Sequence, residues 1–307
     1  MAGEEHLPRD VRPFGFLNVI KPLEWTSHRA VGAVRRRVPP GTKVGHAGTL
    51  DPLATGVLVI CVGPATRLAE YVQRRPKQYR AVIALGATST TDDREGTVEP
   101  VPEARPVPAD RVAAVLNRFV GRIDQTPPSH SAVHVGGHRA YKLARRGECP
   151  ELAARPVTIH RIGLLRYEWP ALEIEVCCGA GTYIRSLARD VGAELGVGGY
   201  CAELERTAVG PFTLDDAVEL TEADPARHLM SPLAALGDVG QIELDDARIE
   251  KVAMGQAVSI GAGLPQPGEP VAILGRAGRL AAIGHVRTDG QSVRPDKVFV
   301  RPGGHVH

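Results

Sequence analysis

The twelve residues from Gly45 to Gly56 (Gly-His-Ala-Gly-Thr-Leu-Asp-Pro-Leu-Ala-Thr-Gly) constrain the fold more than any other part of this 307-residue chain. Three glycines and one proline surround a single carboxylate, Asp51, and the apolar run Val57–Val62 follows at once. Glycine opens backbone conformations closed to other residues and allows close approach of a ligand or a second strand. Pro52 fixes its own φ and turns Asp51 toward an extended conformation. An unbroken apolar run after such a loop reads as a buried strand. The pattern predicts a carboxylate on a stiff loop beside that strand. On spacing alone the alternative is an Asp-Pro turn with a locally satisfied side chain. A nucleotide P-loop is not indicated, because Gly-Lys-Ser/Thr is absent.

The periodicity on either side gives the fold class. Phe14 to Ile20 reads as a strand. Thr26 or Ser27 can cap a helix through Arg37, with Val31, Val34 and Val38 on one face and Pro39-Pro40-Gly41 as its stop. Tyr79, Ala81, Ile83 and Leu85 alternate as in a strand. Val112, Val115, Leu116 and Phe119 mark an amphipathic helix over Ala109 to Phe119. Leu172 to Cys178 alternates again. Thr182 can cap a helix carrying Ile184, Leu187, Ala188, Val191 and Leu195, ended by Gly196, and Tyr200 to Val209 reads as a further strand. Strands and helices mix without strict βαβ alternation, so the expected class is α+β, a mainly antiparallel mixed sheet with flanking helices.

Three regions follow. Residues 1–13 are expected to be a disordered head, 14–236 one large domain, and 240–307 a small β domain. The last expectation rests on short apolar segments split by Gly and Pro: Ala257–Ile260, Val271–Leu274, Leu280–His285 and Lys297–Val300. Within the large domain, residues 125–155 lack apolar periodicity and contain Pro127-Pro128, Gly136-Gly137 and a basic stretch, which suggests a projecting thumb.

Charge matters through its distribution. The net charge is only +2, but Thr213 to Glu250 holds ten acids and two arginines, leaving −8 there and +10 on the rest. A basic body suits a polyanionic partner. No apolar run is long enough to span a membrane, and the charged N-terminus lacks a signal-peptide stretch, so the expected setting is the cytoplasm. The five cysteines (Cys61, Cys149, Cys177, Cys178, Cys201) form no CxxC pair and no cluster with zinc-ligand spacing. No metal and no cofactor are expected.

Gly45 to Leu58 resembles the signature of TruB-type tRNA pseudouridine synthases. The similarity extends through most of Phe16 to Phe212. It includes Lys21-Pro22 with Thr26-Ser27, the Lys77-Gln78-Tyr79-Arg80 strand entry, Gly181-Thr182-Tyr183-Ile184-Arg185, and Leu204-Glu205-Arg206 leading to Gly210-Pro211-Phe212. The C-terminal region is weakly similar to small PUA-like barrels. The resemblance implies isomerisation of uridine 55 in the tRNA T-loop to pseudouridine, by a flipped base and an aspartate nucleophile. It leaves open whether that aspartate attacks C1′, attacks C6 or assists a glycal route.

Residue by residue, Asp51 matches the catalytic aspartate, and Arg185 the arginine paired with it. Tyr79 matches the tyrosine stacked on the target base. Tyr183 and Leu204 match residues lining the pocket. His46 matches a histidine that fills the space left by flipped nucleotides, and Lys21 is expected to brace the loop. Arg139, Lys142, Arg145 and Arg146 on the thumb are expected to contact RNA phosphate. The implied partner is the T arm of tRNA, and a monomer is the expected form. Two departures stand out. Glu24 replaces a common glycine, which puts the local backbone in question, and Glu205 sits where a basic residue is frequent. Competing readings are a tRNA-binding or folding module in which catalysis matters little, and an aspartate-dependent hydrolase of small substrates.

Overall fold

The computed structural model describes residues 13–129, 152–261, 263 and 265–303, with the backbone alone of 134–135 and 138–139. In chain order the strands are β1 (Gly15–Lys21), β2 (Val44–His46), β3 (Ala54–Val62), β4 (Lys77–Leu85), β5 (Ala87–Ser89), β6 (Val98–Pro100), β7 (Gly121–Gln125), β8 (His134–Val135) and β9 (His138–Arg139). There follow β10 (Arg155–Glu168), β11 (Ala171–Cys178), β12 (Gly199–Val209), β13 (Phe212–Thr213), β14 (Val218–Glu219), β15 (Gly240–Glu243), β16 (Val258–Ser259), β17 (Pro270–Gly275), β18 (Arg279–Val286) and β19 (Ser292–Val298). The helices that matter here are α1 (Ser27–Arg35), α2 (Ala69–Gln73), α3 (Ala109–Arg118) and α4 (Ile184–Leu195).

The large sheet runs β14-β1-β3-β12-β4-β11-β10-β7, with β2 on β3 and β13 on β12. Among this sheet's described strand pairs only β1–β14 and β3–β12 are parallel. The class is therefore α+β with a mainly antiparallel mixed sheet, as the periodicity indicated. β3 lies between β1 and β12, which explains its continuous apolar run: it is buried on both faces. Leu58, Ile60 and Val62 join a core built with α1, α3 and α4. Val57, Val59 and Cys61 point the other way, into a second cluster.

That second cluster is closed by the five-stranded sheet β15-β17-β18-β19-β16. Ala272, Leu274, Leu280, Ile283 and Phe299 pack with Phe16, Leu68, Val72 and Phe212. The sheet is open: β15 and β16 lie at its two ends and do not pair with each other among the described residues. The last segment expected from the sequence, Lys297–Val300, is displaced, since the strand runs Ser292–Val298. Pro295 hid it. Proline removes a ladder donor, and here it sits opposite Gly284 at a register shift.

Helix starts differ in one case. Thr26 caps α1, accepting from Arg29 N at 3.1 Å, whereas Ser27 does not cap it. α1 ends at Arg35, two residues before the expected stop. Thr182 does not cap α4. Its hydroxyl donates to Gly179 O at 3.1 Å, and Tyr183 is the N-cap residue without a side-chain cap bond. The acidic stretch is clamped onto α1: the Arg37 guanidinium donates to the carbonyls of Leu220, Thr221 and Ala223 at 2.6–2.9 Å. Among the described residues, no helix is long and apolar enough to cross a membrane.

Candidate active site

The Asp51 loop is held by its backbone from three directions. Ser27, buried at the start of α1, donates through Oγ to Leu50 O at 3.0 Å and accepts from Leu50 N at 2.8 Å. Lys21 ends β1 fully buried, its ammonium donating to Pro22 O at 2.8 Å and Trp25 O at 2.6 Å. It braces the segment that faces the loop, and Glu24 N then donates to Pro52 O at 2.8 Å. Glu24 keeps φ at +63°, the left-handed region that suits glycine. The backbone that glycine would favour is therefore retained with a glutamate in it.

The third hold comes from Arg206 on β12, the largest of the fully buried side chains. Its guanidinium donates to Val57 O at 2.8 Å, Gly48 O at 3.1 Å and Thr49 O at 3.3 Å. β12 and β3 approach closely beside it. A Cβ on Gly56 would lie 2.3 Å from Arg206 O, and Gly56 has φ +92°, so only glycine fits there.

Asp51 Oδ2 lies 3.0 Å from Arg185 Nη2. Arg185, in the first turn of α4 and almost wholly buried, places Nη1 2.9 Å from Asp93 Oδ2 and donates to Thr91 O at 3.3 Å. One guanidinium thus spans two carboxylates, one partly exposed and one buried. Asp93 is fixed in turn by Thr91 Oγ1 at 2.5 Å and Glu95 N at 2.9 Å. Burial pushes the Asp51 carboxyl above its ordinary value, Arg185 pulls it back, and Asp93 adds to the rise. Burial works against the charge on Arg185, but Asp51 and Asp93 more than offset it and raise its pKa. Burial lowers Lys21 to about 8, against the pull of Asp51 and Glu95.

Tyr79 on β4 is half-buried opposite Arg206 in the β4–β12 register. Burial raises the phenol pKa and Arg206 opposes the rise. Leu204, buried on β12, pairs with Ala54 just beyond the loop and with Ala81 of β4. His46 lies at the end of β2. Burial lowers its imidazole pKa, with Arg206 and His28 adding to the shift. Its Nδ1 is buried with no hydrogen-bond partner among the described residues. Tyr183 has its backbone N–H and C=O bracketed by the Gln125 amide at 2.8 and 3.1 Å. Glu205 forms a half-exposed ion pair with Arg80 across the strands at 3.8 Å.

The structure thus joins Asp51, Arg185 and Lys21 in one charged cluster, with Tyr79 close enough to feel Asp51. Lys142, Arg145 and Arg146 lie outside the described residues, and of Arg139 only the backbone, in β9, is described. Sequence reasoning missed Asp93 and gave Arg206 no role. Asp93 stands in the polar run Thr90-Thr91-Asp92-Asp93, which reads as a plain turn. Arg206 could have been found from its parity, since it is a charge on a strand whose alternate positions are buried.

The TruB family pseudouridylate synthase N-terminal domain model matches residues 36–184, and the tRNA pseudouridylate synthase B C-terminal domain model matches 185–231. The chain belongs to the TruB family of pseudouridylate synthases. It is accordingly an isomerase. It is 44% identical to the tRNA pseudouridine synthase B of Parasynechococcus marenigrum (strain WH8102), over 95% of this chain and 99% of that protein. The protein of the same name from Thermobifida fusca (strain YX) is 43% identical, over 93% and 98%. Among solved structures, the fold is similar to a chain of a Cbf5-Nop10-Gar1 complex, with a TM-score of 0.73 and 26% identity over 97% of this chain and 88% of that one. The fold is also similar to a chain of an H/ACA RNP bound to a substrate RNA containing 2′-deoxyuridine, with a TM-score of 0.72 and 25% identity over 94% of this chain and 86% of that one.

Proposed function

We propose that this enzyme isomerises uridine 55 in the T-loop of tRNA to pseudouridine, with Asp51 as nucleophile. The observation that carries the reading is the Asp51–Arg185 pair, 3.0 Å apart, on a loop whose backbone is pinned by Lys21, Ser27 and Arg206. A nucleophile is useful only when ionised and aimed. Arg185 favours the ionised form in a site where burial opposes it, and the pinned loop fixes the aim.

The reaction is balanced within one nucleotide. The N1–C1′ bond breaks, the base turns, a C5–C1′ bond forms, C5 gives up its proton and N1 gains one. No co-reactant is required. Tyr79 supplies an aromatic face for the flipped uracil, an interaction contributing about 1–3 kcal/mol per base. Its phenol, near the Arg206 charge that opposes the rise in its pKa, stands ready for proton movement at C5. Tyr183 and Leu204 line the pocket. His46 fills the space vacated by the flipped nucleotides, which suits a neutral ring with an unpartnered Nδ1. In this reading residues 14–236 are the catalytic domain, Arg139, Lys142, Arg145 and Arg146 hold phosphates, and 240–307 form a small PUA-like domain. The enzyme works in the cytoplasm as a monomer on the T arm.

The test is pseudouridine mapping of an unmodified tRNA transcript incubated with purified protein, beside Asp51→Ala. Modification at position 55 by the parent enzyme alone supports both reaction and nucleophile. Modification at another position would refute the site, and an active Asp51→Ala would refute the nucleophile.

A further inference from the structure

Arg185 has a neighbour one turn along α4 whose bonds converge on the same part of the chain. Arg189 places Nη1 2.8 Å from Asp92 Oδ2 and Nε 2.9 Å from Asp190 Oδ1, and it donates through Nη2 to Thr126 O at 3.0 Å. Residues four apart on a helix share a face. Arg185 and Arg189 therefore grip consecutive carboxylates, Asp93 and Asp92, of one turn. Consecutive side chains normally diverge. Here they reach one helix because Asp92 adopts φ +60°, in the left-handed region that costs a non-glycine residue energy. The turn also docks on β12: Cys201 N donates to Asp92 O at 2.9 Å, and Arg94 N donates to Cys201 O at 3.1 Å.

We propose that Arg189 and Asp92 are a positioning pair: by holding this turn in its left-handed form against α4, they keep Asp93, and through it Arg185, aligned with Asp51. The inference rests on the reading of Asp51 as the catalytic carboxylate. A side chain that unites three elements is well placed for this work. Thr126 O, which also accepts from Ser186 Oγ at 2.9 Å, belongs to the first residue after β7. Arg189 thereby joins the end of β7 to the turn behind the catalytic pair. Arg189 keeps 31% exposure and Asp92 only 15%, and burial works against the Asp92 charge, so the intact pair adds little to global stability. Loss of the pair should appear in the chemistry before it appears in the melting temperature.

The groups facing Asp51 are Arg185 on α4, Asp93 and Glu95 on the turn, Lys21 on β1 and Tyr79 on β4. If the turn relaxes, Arg185 stabilises the Asp51 carboxylate less well, and the acid limb of the rate moves to higher pH. The experiment measures kcat, KM, the kcat–pH profile and Tm for Arg189→Gln, Arg189→Lys, Asp92→Asn and the Arg189→Gln/Asp92→Asn double variant of the full chain, on a tRNA transcript. For Arg189→Gln the expected result is kcat lower by about tenfold, KM within about twofold, and an acid limb shifted upward by roughly half a pH unit. Arg189→Lys should fall between the parent and Arg189→Gln, and the double variant should be no worse than the poorer single one. An unchanged kcat and acid limb would overturn the pairing role, as would a raised KM with unchanged kcat, which is the mark of a plain RNA contact. Asp51→Asn in the same series separates the two ideas. If it stays active, the reading of Asp51 fails; if it is inactive beside a normal Arg189→Gln, only the positioning pair fails.

Discussion

Strands β1 and β3 are buried on both sides, but only one of those sides carries a charged site. On one side Lys21, the Asp51 loop and, reaching in from α4, Arg185 share the space with the core of Leu17, Val19, Leu58 and Ile60; on the other lie Phe16, Val57, Val59 and Cys61 under the five-stranded sheet. The apolar side includes ring pairs, with Phe16 5.7 Å from Phe212 and Phe14 5.0 Å from Phe299. It stabilises the fold by area removed from water and by packing. The charged side is burdened by burial, which raises Asp51 and lowers Lys21 to about 8. Its internal partners restrain those shifts without erasing them. Both sides of the sheet supply apolar burial, and the side facing α1, α3 and α4 spends part of it on a poised carboxylate.

The largest expected effect tests that division on the charged side. Asp51→Asn should lower turnover by about 10⁴-fold while tRNA affinity stays within about tenfold, as read by single-turnover modification and filter binding. Its Tm should not fall. A carboxyl whose pKa is raised on folding adds stability only at low pH and loses it as pH rises through the folded value, so at neutral pH its charge is a cost. For the same reason the parent enzyme's rate should drop on acidification through a pKa above the ordinary aspartate range. A marked loss of Tm in Asp51→Asn would break the comparison.

Next in size is the apolar side. Phe299→Ala should cost about 3–5 kcal/mol of stability by denaturant titration, through lost burial and the cavity left against Phe14. Phe299→Leu should cost only about 1 kcal/mol. Turnover by folded Phe299→Leu protein should match the parent. A large drop in kcat without unfolding would show that the second sheet reaches the chemistry.

The two sides were not equally legible in the sequence. The apolar packing announces itself: an unbroken run in β3 marks burial on both faces, and alternation in β4 and β11 marks burial on one. The charged side is written at long separations. Asp51, Asp93 and Arg185 have no common periodicity; the Gly/Pro pattern singles out Asp51, but its pairing with Arg185 follows only from the resemblance of their flanking motifs to a family signature. Asp93 carries no such flag, because a Thr-Thr-Asp-Asp run suits any turn. The strand with Pro295 was misplaced because a proline tolerated at a bulge looks, in sequence, like an interruption.

Arg206 tests the boundary between the two sides, since one guanidinium holds both a β3 carbonyl and two loop carbonyls. Arg206→Met keeps much of the volume but leaves those acceptors without their donor. Stability should fall by about 2–3 kcal/mol and kcat by about tenfold, measured together by denaturant titration and steady-state kinetics. A loss confined to stability would place Arg206 with the apolar side, and a loss confined to kcat would place it with the chemistry.

The smallest effect concerns Glu24, exposed and held at φ +63° beside the catalytic loop. Its backbone N–H donates to Pro52 O, so the left-handed conformation is imposed by the loop and the glutamate bears the strain. Glu24→Gly should raise stability by up to about 1 kcal/mol, because relief of the left-handed strain exceeds the entropy that glycine adds to the unfolded chain. Glu24→Ala keeps the Cβ, hence the strain, and should show no comparable gain. Neither change should alter kcat, since the hydrogen bond to Pro52 belongs to the backbone. Equal stabilisation by both variants would trace the gain to the lost charge near the active-site carboxylates, and would mean that the electrostatic burden of the charged side extends to its exposed rim.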